Sequence, residues 1–118
     1  MANVYECAVV GGGIAGLQAA VQLGRYGHNV VVIDAGDGRS TLCRQYHNLL
    51  GYPGGVSGLE LLQAGREQAK KHGVAFVSGV ATDVRQESAA GADPADAVFA
   101  IALADGTVVR AQIGRAHV

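Results

Sequence analysis

Val10-Gly11-Gly12-Gly13-Ile14-Ala15-Gly16-Leu17 decides the fold of this chain. The stretch lies between two apolar runs, and an aspartate, Asp34, follows 18 residues after Gly16. Val4 to Val10 reads as a buried strand and the glycines as a tight turn. Ile14 to Tyr26 reads as a helix, and Val30 to Ile33 as a second strand that ends on the acid. In this context the glycines form a complete dinucleotide-binding fingerprint rather than an isolated glycine pattern.

Each position has a mechanical reason. Gly11 lets the chain reverse sharply after the strand. Gly13, lacking a Cβ, lets a pyrophosphate approach the backbone. Gly16 lets the helix pack tightly on the first strand. The N–H groups of the first helical turn and the positive end of the helix dipole then face the phosphates. Asp34 can accept hydrogen bonds from both hydroxyls of a ribose. It would repel a 2′-phosphate, so NADP is not expected at this site. Leu17, Ala20, Val21 and Leu23-Gly24 give the helix one small, apolar face, and Gly27 is placed to terminate it. The fingerprint leaves FAD and NAD both open, because both carry ADP with a free ribose 2′-hydroxyl.

At 118 residues the chain is long enough for one small domain with its own core. Hydrophobic residues make up 49% and charged residues 16%, a globular rather than a disordered balance. The 9 basic and 10 acidic residues are dispersed and the net charge is -1. No basic block points to nucleic acid or an anionic membrane. Met1-Ala2-Asn3 leads straight into a strand with no signal peptide, so a cytoplasmic location is expected. Cys7 falls within the first strand as a small buried hydrophobe, and Cys43 falls in a loop. There is no Cys-x-x-Cys and no metal-ligand spacing, so no metal is expected.

Residues 35–57 form one long connection, and a loop of this length in a compact domain is usually functional. Ser57 can cap a helix starting near Gly58, with Glu60 three residues on as in a capping box. Leu59, Leu62, Gly65-Arg66 and Ala69 recur at helical spacing to about His72, and Gly73 ends the helix. Val74 to Val77 is a short third strand. Val80 to Gln86, Val98 to Leu103 and Thr107 to Ala111 read as further strands, the last two joined through Asp105-Gly106, a hairpin signal. The order is β-α-β-α-β followed by a β-meander.

Three pieces together carry a resemblance: the fingerprint Val10 to Leu17, the stretch Asn48-Leu49-Leu50-Gly51-Tyr52-Pro53, and Gly58-Leu59-Glu60-Leu61-Leu62 leading into Arg66-Glu67-Gln68-Ala69. They resemble the amino-terminal FAD half-domain of low-molecular-weight thioredoxin reductases and their relatives, over residues 4–112. The resemblance implies an α/β, Rossmann-like βαβαβ FAD-binding half-domain with a β-meander crossover, incomplete. It implies FAD rather than NAD. It further implies that Gly11, Gly13, Ile14, Ala15 and Gly16 line the pyrophosphate, that Asp34 and Ala35 sit at the adenosine ribose, and that Val80 holds the adenine through its backbone. Asn48 would contact the flavin end. Gly38-Arg39-Ser40 stands about where the family usually has Gly-Gly-Gln, which makes Arg39 and Ser40 candidate flavin-side contacts. Arg39 is open between stabilising a reduced, anionic flavin and being a solvated loop charge. His47 beside Asn48 and the tyrosines Tyr46 and Tyr52 are open between flavin contact and ordinary loop packing. His28, His72 and Lys70-Lys71 read as solvated groups.

The family's chemistry uses parts that this stretch does not encode: an NADPH domain, often with a redox Cys-x-x-Cys, and a second FAD segment. No catalytic residue is identified here. In the complete protein, as the resemblance implies, a hydride passes from NADPH to FAD and electrons go on to a disulfide, a ferredoxin or another acceptor, with a homodimer as the expected assembly. The alternatives are an inactive nucleotide-binding fragment, or another GxGxxG flavoprotein or NAD-dependent dehydrogenase sharing only the fingerprint. Finally, Ile113-Gly114-Arg115-Ala116-His117-Val118 back-translates to ATC GGA AGA GCA CAC GTC, which matches a common sequencing adapter. The expectation is an FAD-binding portion at 1–112, a non-native tail at 113–118 and a truncated reading frame.

Overall fold

The computed structural model of the chain describes residues 4–35, 50–87 and 97–116, the last four of these as backbone. The elements follow the order β1 (Val4–Val10), α1 (Ile14–Arg25), β2 (Val30–Asp34), α2 (Gly58–Lys71), β3 (Ala75–Ser78), β4 (Ala81–Glu87), β5 (Val98–Leu103) and β6 (Val108–Ala116). The expected sequence of elements is therefore observed, with boundaries moved by a residue or two at most except at the end of β6. All six strands join one sheet in the order β3-β2-β1-β6-β5-β4. β1 pairs parallel with β2 and β6, and β2 pairs parallel with β3. The meander β4-β5-β6 is antiparallel.

The two central parallel strands are apolar from Cys7 to Val10 and from Val30 to Ile33, where both their faces are largely covered. Cys7 and Val9 of β1, with Val30 and Val32 of β2, pack on Ala20 and Val21 of α1 and Ala69 of α2. The alternate residues Ala8, Val31 and Ile33 point the other way and pack with Ile101 and Leu103 of β5 and with Val109 and Ala111 of β6. The period of two along each strand thus sorts side chains between a helix-covered face and a meander-covered face. Cys7 is buried in the first of these cores, as its place in the strand predicts.

Local signals hold the helices where the sequence puts them. Ser57 Oγ accepts from the Glu60 N–H at 3.1 Å and caps α2. Both helices end in a Schellman motif closed by a glycine with positive φ. After α2, the Gly73 N–H donates to the Lys70 carbonyl and the Val74 N–H to the Ala69 carbonyl, at 3.0 and 3.2 Å. After α1, the Gly27 and His28 N–H groups reach the Gly24 and Leu23 carbonyls in the same pattern. At the Asp105-Gly106 hairpin, the Leu103 N–H meets the Thr107 carbonyl at 2.8 Å, and Asp105 Oδ1 accepts from the Thr107 N–H at 2.9 Å. That backbone donor holds the Asp105 carboxyl below its ordinary range.

β6 is longer than the sequence suggests. The period is legible for Thr107 to Ala111, yet the strand continues to Ala116 in parallel register with β1, where Cys7 faces Ile113 and Val10 faces Ala116. Backbone pairing uses N–H and C=O groups common to all non-proline residues. Such pairing is open to native and non-native sequence alike.

Candidate functional site: the glycine turn at the ends of the parallel strands

The site is built where β1 and β2 end. The Gly11 N–H donates to the Ile33 carbonyl at 2.8 Å, so the turn begins tied to the second strand. Gly11 has φ of 114°, a conformation that a residue with a Cβ rarely adopts. Gly13 is the N-cap of α1 and contributes no side-chain cap, and the first turn holds no acidic residue. The helix thus presents its N-terminal backbone without the side chain that usually satisfies it. This is the local condition for binding an anion at a helix N-terminus.

Gly16 is required for packing. A Cβ there would fall on the Gly11 carbonyl oxygen and lie 3.2 Å from Val9 Cγ1. The third glycine of the fingerprint therefore does what the sequence predicts, bringing helix and strand together. Gly12 has a role that the fingerprint does not announce. A Cβ at Gly12 would overlap the Asp34 carboxylate and sit 2.8 Å from its Cβ. The Asp34 side chain therefore lies directly over the glycine turn, and Gly12 is the residue that makes room for it.

Asp34 and Ala35 close β2 at the same rim. The Gly79 N–H donates to the Asp34 carbonyl at 3.0 Å, which brings the β3–β4 turn, and with it Val80, beside the acid. Val80 is half exposed and its own carbonyl accepts from the Ala104 N–H at 2.8 Å. Gly11, Gly13, Ile14, Ala15, Gly16, Asp34, Ala35 and Val80 are thus gathered at one end of the parallel strands. Arg39, Ser40 and Asn48 lie outside the described residues, as do Cys43, Tyr46 and His47. Tyr52 lines a groove of about 110 Å³ between α1 and α2, beside Ile14 and Leu17.

One polar residue enters the site that the sequence marks as part of α2 but not as a site residue. Arg66, on α2, donates through Nη2 to Asp34 Oδ2. The Asp34 side chain is 14% exposed and that of Arg66 is 44% exposed. α2 comes close enough because Gly65 faces Leu17, where an added Cβ would be 3.1 Å from Leu17 Cδ1. A glycine-arginine pair on an apolar helix face was the available signal, but its partner lies 32 residues away in the chain.

The remaining titratable groups stand apart from this rim. His28 Nδ1 meets Glu6 Oε2 at 2.9 Å, and Glu6 Oε1 accepts from the Asn29 N–H at 3.1 Å. The bond to His28, foremost, and that to Asn29 hold the Glu6 carboxyl below its ordinary value. Lys70 and Lys71 are solvent-facing, and Lys70 Nζ also lies 5.7 Å from the centre of the Phe76 ring. Among the described residues no cluster of three His, Cys, Asp or Glu could hold a metal ion. No helix of those residues is long and apolar enough to cross a membrane.

The fold is that of a Rossmann-like α/β domain with a glycine turn at the ends of its parallel strands. The family described as NAD(P)-binding Rossmann-like domain matches residues 9–58, the stretch from the end of β1 into α2. The thioredoxin reductase of Aquifex aeolicus is 39% identical over 89 residues, covering 72% of this chain and 28% of that protein. Among solved structures, HlmI superposes with a TM-score of 0.86 at 24% identity, covering 98% of this chain and 36% of its own. The thioredoxin reductase of Streptococcus pyogenes superposes with a TM-score of 0.81 at 22% identity, covering 96% of this chain and 34% of its own. At such identities the superpositions speak for the fold. The chain is thus similar to one part of a thioredoxin reductase, and it spans 28% of the length of the curated relative it matches.

Proposed function

We propose that this chain is the FAD-binding portion of an NAD(P)H-dependent flavoprotein oxidoreductase. The observation that carries the reading is the rim itself: an uncapped helix start, a glycine turn, and Asp34 lying over that turn where Gly12 leaves space for it. In this reading Gly11, Gly13, Ile14, Ala15 and Gly16 receive the pyrophosphate through backbone N–H groups. Asp34 and Ala35 take the adenosine ribose, and Val80 borders the adenine. Arg39, Ser40 and Asn48 belong to the flavin end. Bound FAD would supply the redox chemistry, accepting a hydride from NADPH and passing electrons to a disulfide or similar acceptor. The chain's own share is to bind and orient the ADP half and to exclude water from beneath it. Residues 1–112 form the functional portion and 113–118 the non-native tail. The whole protein is a cytoplasmic homodimer with further segments for NADPH and for the rest of the flavin.

The family description for residues 9–58 names NAD(P), and this favours a second reading in which the same rim holds a nicotinamide dinucleotide. Calorimetric titration of the purified chain with FAD, NAD⁺ and ADP separates the two. The flavin reading expects FAD and ADP to bind with similar, modest affinity and NAD⁺ no more tightly, because the isoalloxazine contacts lie elsewhere in the protein. It also expects a colourless preparation with no NADPH oxidation. Clearly tighter binding of NAD⁺ than of FAD would give the site to the nicotinamide dinucleotide. No binding of any of the three would remove the ADP-site reading altogether.

A further inference from the structure

The Asp34 carboxylate is already engaged at the rim of the glycine turn, because Arg66 reaches it from α2. We infer that Arg66 sets how this site treats the 2′ position of an adenosine ribose: it orients Asp34 and offsets its charge, so that a 2′-phosphate is tolerated rather than excluded. The inference rests on the reading of this turn as an ADP-binding site.

Three observations carry it. First, Asp34 is confined: its carboxylate lies over Gly12, where even a Cβ would collide with it, and its side chain is mostly buried. Second, Arg66 keeps nearly half of its side chain exposed while bonded to that carboxylate. Third, the small Gly65 lets α2 approach Leu17 of α1, which brings the guanidinium within reach of the acid.

The chemistry follows from the donor inventory. A carboxylate has about four acceptor positions, so bonding to Arg66 is compatible with bonding to ribose hydroxyls. A guanidinium offers five N–H donors in a planar fork that suits both carboxylate and phosphate. An aspartate alone would repel a 2′-phosphate, and the neighbouring positive charge offsets that repulsion. This revises the expectation, drawn from Asp34 by itself, that a 2′-phosphate is rejected. Arg66 acts on a 2′-hydroxyl ribose as a positioning residue, through Asp34, and on a 2′-phosphate directly.

The test uses two probes that differ only at the 2′ position, ADP-ribose and 2′-phospho-ADP-ribose, titrated into the 118-residue chain by calorimetry. The quantity read is the ratio of their dissociation constants. Arg66→Met is expected to shift that ratio toward ADP-ribose by about tenfold at ~50 mM salt, and less at ~0.5 M, where charges are screened. Arg66→Lys, which keeps the charge without the fork, is expected to recover most of the parent ratio. Asp34→Asn, which leaves Arg66 unopposed, is expected to turn the preference toward the 2′-phosphate, and it keeps the test decisive should Arg66→Met fail to fold. An unchanged ratio in Arg66→Met overturns the inference, as does an Asp34→Asn chain that still prefers ADP-ribose. Failure of the parent chain to bind either probe is a different result: it removes the ADP site and the inference with it.

Discussion

β2 and β4 are strands of the same sheet, yet they share almost nothing else. β2, Val30 to Asp34, is buried on both faces up to its terminal acid. β4, Ala81 to Glu87, lies at the sheet edge and is exposed from Thr82 onward. β2 runs parallel between β1 and β3, covered by helices on one side and by β5 and β6 side chains on the other. Among the described residues β4 pairs with β5 alone, and it carries Asp83, Arg85 and Glu87, of which Asp83 and Arg85 bond each other at 2.9 Å. Charges on an edge strand discourage pairing with another chain. The difference teaches where function can sit. A strand buried on both faces can offer a ligand only its end, and the site is found at that end, on Asp34. The edge strand has open faces but no enclosure.

The largest expected effect strikes the junction that makes the buried half possible. Gly16→Val places branched carbons against the Gly11 carbonyl and Val9. Strain there should cost about 3 kcal/mol or more and abolish nucleotide binding. Chemical denaturation and ligand titration read both, and a Gly16→Val chain of parental stability would break the account of this turn.

The contrast between the strands is sharpened by a matched pair. Ile33 is 1% exposed and Val84 is 55% exposed. Ile33→Ala should lose about 3 kcal/mol, and Val84→Ala should stay within about 0.5 kcal/mol of the parent. Equal losses in urea melts would mean that β4 is covered in solution. Next in size is Ser57→Ala, which removes the cap of α2 and should cost about 1 kcal/mol. Because α2 carries Arg66, the same variant should also loosen the probe ratio at the rim. A Ser57→Ala melt superimposable on the parent's would show that tertiary packing alone sets the start of α2.

The smallest effect belongs to Glu6 at the exposed start of the parallel half. Its carboxyl is lowered from the ordinary 4.5, chiefly by the hydrogen bond from His28. A depressed carboxylate favours the folded state most above its unfolded pKa, and that contribution fades as pH falls through the folded value. Glu6→Gln should therefore flatten slightly the loss of thermal stability on acidification below about pH 4.5. A steeper acid limb in the variant would contradict the sign.

Much of this was legible in the chain because it depends on neighbours in sequence. The capping serine, the two helix-ending glycines and the Asp105-Gly106 hairpin act within a few residues, and each was found where expected. The fingerprint glycines were legible too, because their spacing encodes a strand, a turn and a helix in one stretch. Other features were not. The role of Gly12 depends on Asp34 lying over it, and nothing near Gly12 in the sequence marks that approach. Arg66 is legible as part of the α2 helical pattern, but nothing local marks a partner 32 residues away. The continuation of β6 beside β1 was hidden because backbone pairing leaves no trace in side-chain periodicity.

The amino-acid sequence by itself determined the elements, their order and the end of the sheet at which the glycine turn lies, since periodicity, caps and glycine turns are short-range physics. Only the tertiary structure decided how the sheet is assembled, with β6 set between β1 and β5, and which charge meets Asp34. Those outcomes depend on how closely two helices pack and which strand edge is open, and both are properties of the folded whole.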